Sequence, residues 1–211
     1  MNKLKGKVRE DLLALMPEAF AKYEVNTHLR AAHFLGQVAH ESGDFRKKTE
    51  SLFYSKPEQI VKTWPTRFNL DGSGGKKNAS EYIKNQEKLA AAVYDNRKEL
   101  GNDEPGDGFR FRGGGFLQLT GKAAYAGYAK YIGKSVGETA DLLRSNDHFA
   151  LDGALWNYVL EKKLNPIADT GAGDDVVKTI SKRVNGGKVG MEERIVLFHK
   201  FYELLSAPVT A

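Results

Sequence analysis

Apolar residues recur at intervals of three and four along most of this chain, and glycine-rich stretches separate the segments that carry the pattern. This spacing places apolar side chains on one face of an α-helix, whereas a half-buried strand requires strict alternation. The clearest example begins at Asn26 or Thr27, either of which can cap a helix, and ends at Gly43. The sequence therefore predicts a mainly helical protein with a few short strands.

Similar patterns predict where other elements begin and end. Pro17 is expected to open a second helix at its first position, and one helix is expected over about residues 81–100. Alternation over residues 109–112 predicts a short strand, Asp174 is expected to be an N-cap, and residues 62–80 are expected to form a flexible insert. Further helices are predicted at residues 122–132, 148–161, 174–184 and 191–205.

The composition excludes several classes of protein. Of the 211 residues 41% are hydrophobic, which is enough for a buried core, and no cysteine is present to form a disulfide, a thiolate zinc site or a nucleophile. No apolar run approaches the roughly 18 residues of a membrane-spanning helix, so membrane insertion is not expected. The apolar stretch behind the basic N-terminus is shorter than the apolar region of a signal peptide, which has roughly 7–15 residues, so no export signal is expected.

The chain carries a formal net charge of +5, which favours polyanionic partners such as nucleic acid, acidic lipid or bacterial cell wall. A nucleic-acid-binding protein usually concentrates its basic residues in a stripe with aromatic residues. Here the basic pairs are scattered along the chain, and we interpret them mostly as solvated surface. Nucleic acid is therefore not an expected partner.

Two glutamates suggest acid and base chemistry on a glycosidic bond, which needs one carboxylic acid and one carboxylate. Glu50 follows Glu41 by nine residues, and in an unbroken helix the two would lie on opposite faces about 13.5 Å apart along the axis. The stop at Gly43 allows the chain to turn back instead. Helix-end carbonyls disfavour a charge on Glu41, so we expect it to be the acid. On spacing alone, two surface glutamates remain the commoner explanation.

Metal and phosphate sites are not predicted. His40-Glu41 has the start of a zinc-peptidase motif, but the position four residues after His40 is Asp44 and the other histidines lack ligand spacing. The glycines at 113–115 lack the lysine and hydroxyl residue that end a phosphate-binding loop. No metal and no cofactor is therefore expected.

The glycines at 113–115 also suit close passage of a backbone beside a sugar chain. Gln118 and Thr120 follow them, two residues apart, and would point to one side of an extended segment. In that arrangement Thr120 would hold the attacking water. Tyr54, four residues after Glu50, is a candidate for a substrate contact.

In combination these segments strongly resemble the family 19 glycoside hydrolases, and within that family the short phage endolysins more than the larger plant chitinases. The matching blocks occur in the family's order between about residues 30 and 200. They are His40-Glu41-Ser42-Gly43, Glu50, Phe53-Tyr54-Ser55, Gly106-Asp107-Gly108-Phe109-Arg110-Phe111-Arg112-Gly113-Gly114-Gly115-Phe116-Leu117-Gln118-Leu119-Thr120-Gly121 and Asn185-Gly186-Gly187.

The resemblance implies a mainly α, lysozyme-like bilobal fold with a substrate groove between the lobes. The whole chain, 1–211, would be a single catalytic domain without a separate wall-binding module. We expect the larger lobe to comprise about residues 1–54 and 101–211, and the smaller lobe about residues 55–100.

The resemblance also implies roles for individual residues. Glu41 matches the general acid, Glu50 the base that activates water, and Thr120 the residue that positions this water. Family members invert the anomeric configuration, which agrees with a carboxylate separation of about 6.5–9.5 Å. Gln118 and Asn185 match positions that bind substrate. Arg194 is also assigned to the substrate-binding group. It aligns less securely, with an arginine that supports the carboxylates.

Two departures from the family pattern concern the groove. Gly114 stands where the family usually has an arginine, and an asparagine common shortly after Thr120 is replaced by Ala123 or Ala124. Neither change removes a carboxylate, and Arg110 or Arg112 is available to compensate for the missing charge.

The activity implied is that of an endolysin, a muramidase cutting the β-1,4 bond between N-acetylmuramic acid and N-acetylglucosamine. A chitinase is the nearest alternative, and a catalytically silent sugar-binding module is a second. As an endolysin the protein would be a monomer in the host cytoplasm until another protein, a holin, opens the membrane, so the holin would be only an indirect partner. Its direct partner would be the glycan strands of a thin wall.

Overall fold

The computed structural model describes residues 2–187 and 189–207, in which eleven α-helices and two short strands form. No helix within these ranges is long and apolar enough to cross a membrane. The helices are α1 (Glu10–Lys22), α2 (His28–Ser42), α3 (Pro57–Thr63), α4 (Gln86–Tyr94), α5 (Asp107–Arg110), α6 (Lys122–Ile132), α7 (Val136–Ser145), α8 (Asp147–Leu155), α9 (Asn165–Ala168), α10 (Asp174–Asn185) and α11 (Met191–Ser206). The strands are β1 (Phe68–Asn69) and β2 (Lys77–Asn78).

The chain folds into two compact units. Unit 1 contains the described parts of residues 1–48 and 141–211 together with 114–119, and unit 2 contains residues 49–113 and 120–140. Unit 2 thus extends beyond the smaller lobe expected at about 55–100. The additional residues are 49–54, 101–113 and 120–140. The last of these segments contains α6, and the backbone N–H of its first residue, Lys122, donates to Asn102 Oδ1 at 2.9 Å.

The core of unit 1 is built around α2, whose residues from Ala31 to Ala39 are all buried. Phe34 meets Phe20 and Tyr158 edge to face, with ring centroids 5.7 and 5.4 Å apart. His33 stacks on Phe198 of α11 at a centroid distance of 4.0 Å. Because α2 is buried on every side, packing against its neighbours stabilises it more than intrinsic helix propensity does, and this packing also fixes the residues at its end.

Both ends of α2 are capped as the sequence predicts. The side chain of Thr27 accepts a hydrogen bond from the N–H of Arg30, and Gly43 adopts a left-handed conformation with φ of 56°. Glycine takes this conformation without the steric cost of a Cβ atom, so the helix ends here. Glu41 therefore lies in the last turn of α2, as predicted.

Unit 2 has its own apolar core. Residues from α3, β1, the 3₁₀ turn Ala79–Glu81 and α4 are buried together with the extended segment that follows Glu50. The members of this cluster are Leu52, Ile60, Phe68, Ala79, Tyr82, Leu89, Ala90 and Val93. The strands β1 and β2 pair in parallel, with Phe68 opposite Lys77, inside the segment expected to be an insert without regular structure.

Several local predictions are wrong. Pro17 lies inside α1, because burial of Leu13 and Phe20 on either side outweighs the cost of an interior proline. The helix expected over residues 81–100 is α4 alone.

The interruption of that helix has a local cause. Lys84 has a positive φ, and Asn85 caps a new helix through the N–H of Lys88, 2.9 Å from its Oδ1. The helices α3, α7 and α9 are not among those that the sequence predicts.

Residues 109–112 do not form a strand, because α5 ends at Arg110. Asp95 accepts hydrogen bonds from the N–H groups of Gly106 and Gly108, so the chain curls into a helical turn at this point. Asp174 is the first residue of α10 and Gly173 is its N-cap, with no side-chain capping bond.

Candidate functional site

The residues singled out from the sequence are divided between the two units. Unit 1 holds Glu41, Gln118, Asn185 and Arg194, and unit 2 holds Glu50, Tyr54 and Thr120.

Glu41 forms an ion pair with a buried arginine of α11. Arg194 Nη2 lies 2.5 Å from Glu41 Oε1, and the side chains of Arg194 and Glu41 are 2% and 23% exposed. A charge-assisted hydrogen bond in such surroundings is stronger than a surface pair because water screens it less.

Two uncharged residues extend this contact into the core of unit 1. Arg194 Nη1 donates to Gln37 Oε1 at 2.7 Å, and Gln37 Nε2 donates to Ser181 Oγ at 2.9 Å. Gln37 and Ser181 are fully buried. His40, the residue before Glu41 in α2, has its Nδ1 3.0 Å from Glu193 Oε2 of α11.

Asn185 ends α10 and closes the turn that leads to α11. Its Oδ1 accepts a hydrogen bond from the N–H of Gly187 at 2.9 Å, and its Nδ2 donates to the carbonyl of Val189 at 3.2 Å. The Val189 carbonyl also accepts from Arg194 Nε at 3.4 Å. Asn185 is therefore tied to the backbone beside Arg194.

Gln118 does not lie on an extended segment, so the orientation predicted for it is wrong. It has a positive φ of 50°, and its side-chain amide donates to the carbonyl of Gly115 at 2.8 Å. Gly114 and Leu119 pair on either side, so residues 115–118 form a tight turn. The two-residue alternation that would align Gln118 with Thr120 is absent from this turn.

In unit 2, Glu50 is bound to the backbone at Gly113. The N–H of Glu50 donates to the Gly113 carbonyl at 2.8 Å, and the Gly113 N–H donates to Glu50 Oε2 at 2.9 Å. The hydroxyl of Tyr125 donates to the neighbouring Arg112 carbonyl at 2.7 Å. These contacts hold the backbone donor and the carboxylate together.

The second oxygen of Glu50 is held by a tyrosine of α4. Tyr94 Oη donates to Glu50 Oε1 at 2.9 Å. Burial, and then the negative charge of Glu50, raise the pKa of the Tyr94 hydroxyl above its usual range, so it stays protonated and keeps its role as donor. Both groups that donate to Glu50, the Tyr94 hydroxyl and the Gly113 N–H, are uncharged.

Replacement of Tyr94 by phenylalanine is expected to lower kcat by about tenfold, because one hydrogen bond to a charged group contributes roughly 1.5 kcal/mol. The ring and its packing are retained. Tyr82→Phe, in the core of the same unit, is the matched control and should keep the wild-type rate. Equal rates for the two variants on purified glycan would show that Tyr94 does not serve Glu50.

Tyr54 and Thr120 occupy defined positions in unit 2. The Tyr54 ring meets Trp64 edge to face at 5.8 Å, and both side chains are half-buried. Thr120 precedes Gly121, which has φ of 90° and whose Cβ, if present, would lie 2.7 Å from Leu100 Cβ. Only glycine fits there, so the backbone that carries Thr120 is closely constrained.

The arginines considered as replacements for a charge at Gly114 are engaged within unit 2. Arg110 packs on Gly137, where a Cβ atom would overlap its guanidinium. Arg112 lies over the ring of Phe109 at 3.9 Å and donates to the Phe109 carbonyl. Compensation for the missing charge by either arginine stays a prediction.

Sequence reasoning missed three side chains near the carboxylates: Tyr94, which binds Glu50, Gln37, which binds Arg194, and Ser181, which binds Gln37. Gln37 stands four residues before Glu41 on one helix, and this spacing was a readable signal for a neighbour on the same face. Tyr94 and Ser181 stand 44 residues from Glu50 and 144 residues from Gln37, and no local pattern connects them.

Comparisons with known proteins bear on the family and the fold. No protein-family model matches the chain. A glycosyl hydrolase family 19 domain-containing protein of Haemophilus influenzae is 31% identical over 173 residues, which cover 81% of this chain and 77% of the relative. The chain belongs to glycoside hydrolase family 19.

Solved structures show the same fold for this family 19 glycoside hydrolase. Chitinase C from Streptomyces griseus superposes with a TM-score of 0.56 at 16% identity, over 94% of this chain and 71% of that one. A bacterial family 19 chitinase superposes with a TM-score of 0.52 at 18% identity, over 98% and 91% of the two chains. The predicted mainly helical, lysozyme-like fold is confirmed, and closeness to phage endolysins within the family stays a prediction.

Proposed function

We propose that this family 19 glycoside hydrolase is an endolysin that cleaves the β-1,4 bond between N-acetylmuramic acid and N-acetylglucosamine in peptidoglycan. The observation that carries the acid and base roles in this proposal is the different environment of the two carboxyl groups. Glu41 is paired with a buried cation, whereas Glu50 accepts hydrogen bonds from two neutral donors. Two carboxyl groups with different surroundings suit the separate roles of acid and base.

In this mechanism Glu41 gives a proton to the oxygen of the leaving sugar. Glu50 takes a proton from water as the water attacks the anomeric carbon from the opposite side, and the configuration is inverted. Thr120 orients the water. Once the leaving sugar has taken the proton, Glu41 is ionised, and its pairing with Arg194 stabilises that charge as it develops.

Tyr54, Gln118 and Asn185 are proposed to contact the glycan. The side chains of Gln118 and Asn185 form hydrogen bonds to backbone groups of the turns in which they lie. These bonds fix the conformation of both turns before a glycan binds. A site that is formed before the substrate arrives loses less entropy on binding.

Peptidoglycan is favoured over an uncharged glycan by the net charge of +5. A basic surface attracts an anionic wall, and this attraction weakens as salt screens it. We propose that the protein acts as a monomer, without a metal or cofactor, and stays in the host cytoplasm until another protein opens the membrane.

The second candidate is a chitinase acting on polymers of N-acetylglucosamine. Both solved structures described above are chitinases, which is the observation in its favour. The two substrates differ only in the lactyl group of N-acetylmuramic acid and the peptide attached to it.

The test is mass spectrometry of purified peptidoglycan after digestion and borohydride reduction, with colloidal chitin treated in parallel. A muramidase leaves reduced N-acetylmuramic acid at the fragment ends. Reduced N-acetylglucosamine from the wall would indicate a different bond, and release from chitin alone would establish the chitinase. Fragments cut only in their peptides would overturn both candidates. Protein carrying Glu41→Gln serves as the control for contaminating lysozyme.

A further inference from the structure

We propose that Gln37 is a positioning residue for the proton donor. It acts through Arg194, and Ser181 sets the orientation of its amide. The inference rests on the proposed role of Glu41 as the acid. It concerns side chains that do not touch substrate and that only the structure brings together.

The first step is the position of Gln37. It stands one helical turn before Glu41 on α2, and its side chain is fully buried in unit 1. A buried amide must satisfy its donors and its acceptor within the protein, because each unpaired polar group costs about 1–3 kcal/mol. Gln37 is therefore confined to the partners that surround it.

The second step is the direction of the amide. Ser181 Oγ donates to the carbonyl of Val177 at 2.7 Å, so the hydroxyl proton is already used and its oxygen can only accept. Gln37 Nε2 fills that acceptor at 2.9 Å. Gln37 Oε1 must then point the other way, where Arg194 Nη1 donates to it at 2.7 Å.

The third step is the effect on the guanidinium. One nitrogen of Arg194 binds Gln37 and another binds Glu41, in addition to the longer contact of Nε with the Val189 carbonyl, so Gln37 and Glu41 fix two points of the planar group. A guanidinium held at two points cannot rotate about its bond to Glu41. The carboxyl group that gives up the proton is thereby held in one direction, and proton transfer depends steeply on such alignment.

A merely structural role would have a different signature. Loss of packing at Gln37 would slow every reaction of the enzyme alike. Misalignment of the acid slows only reactions in which the leaving group needs a proton. A glycoside with a dinitrophenyl leaving group departs without protonation, so it separates the two explanations.

The experiment compares two oligosaccharide substrates. Both are made from the glycan that the wild type cleaves, which is either the alternating glycan of the wall or an oligomer of N-acetylglucosamine. One is the unmodified oligosaccharide and the other carries a 3,4-dinitrophenyl group at its reducing end. Gln37→Leu should lower kcat on the unmodified glycan by roughly 10- to 100-fold, which is part of what a general acid contributes. On the dinitrophenyl glycoside kcat should fall by less than about threefold, with KM nearly constant on both.

Ser181→Ala is the second variant and retains a good helix former in α10. This substitution leaves Gln37 able to accept from Arg194 but removes the Ser181 hydroxyl that orients the Gln37 amide. We therefore expect kcat on the unmodified glycan to fall by about fivefold, less than for Gln37→Leu. If Gln37→Leu does not fold, this variant alone decides the question.

Asn165→Ala is the matched control, because Asn165 is a buried amide of unit 1 that donates to the Tyr23 carbonyl. It should lower the melting temperature without changing the ratio of the two rates. An equal loss on both substrates in the Gln37 and Ser181 variants, or no loss on either, would overturn the inference. A wild type that cleaves neither substrate would instead refute the proposed function.

Discussion

Replacement of Glu41 by glutamine is expected to lower kcat on purified peptidoglycan by about 10²- to 10⁴-fold, the contribution of a positioned general acid. The amide has nearly the shape of the carboxyl group but supplies no acidic proton. Its oxygen still accepts the hydrogen bond from Arg194, so the fold should be retained. Initial rates of wall solubilisation, together with thermal unfolding of both proteins, measure the effect.

Glu58→Gln is the control for this substitution, because Glu58 is an exposed residue of α3 and the charge change is the same. It should digest the wall at the wild-type rate. A near-wild-type rate for Glu41→Gln would mean that Glu41 is not the proton donor, and the mechanism proposed for the enzyme would have to be abandoned.

Replacement of Glu50 by alanine is expected to cause a loss of similar size, because the attacking water loses its base. Sodium azide needs no base and fits the space left by the side chain. It should restore part of the activity and give an α-glycosyl azide, since attack opposite a β leaving group inverts the anomeric centre. Proton NMR of the products identifies the anomer and the adduct.

The two variants should respond differently to azide. Glu41→Gln retains the base and lacks the acid, so azide should not restore its activity on a glycan with a sugar leaving group. Rescue of Glu41→Gln but not of Glu50→Ala would reverse the two roles. A β-configured product from the wild type would exclude inversion.

Local patterns in the sequence are sufficient for much of the helical architecture. The end of α2 follows from Gly43, which takes a left-handed conformation at low cost, so Glu41 could be placed in a last turn. Such signals act within a few residues, and the chain order of the motifs was enough to indicate the family. The same local reading failed at Pro17, where the burial of neighbouring side chains outweighs the intrinsic cost of an interior proline.

The surroundings of the carboxylates were decided by tertiary structure alone. Arg194 stands 153 residues from Glu41, and Tyr94 stands 44 residues from Glu50. A hydrogen bond between such groups forms only where packing brings their atoms within about 3 Å, and that distance depends on every helix packed between them. Residue types and motif order are properties of the sequence, whereas the charge or dipole that each carboxylate meets is a property of the folded core.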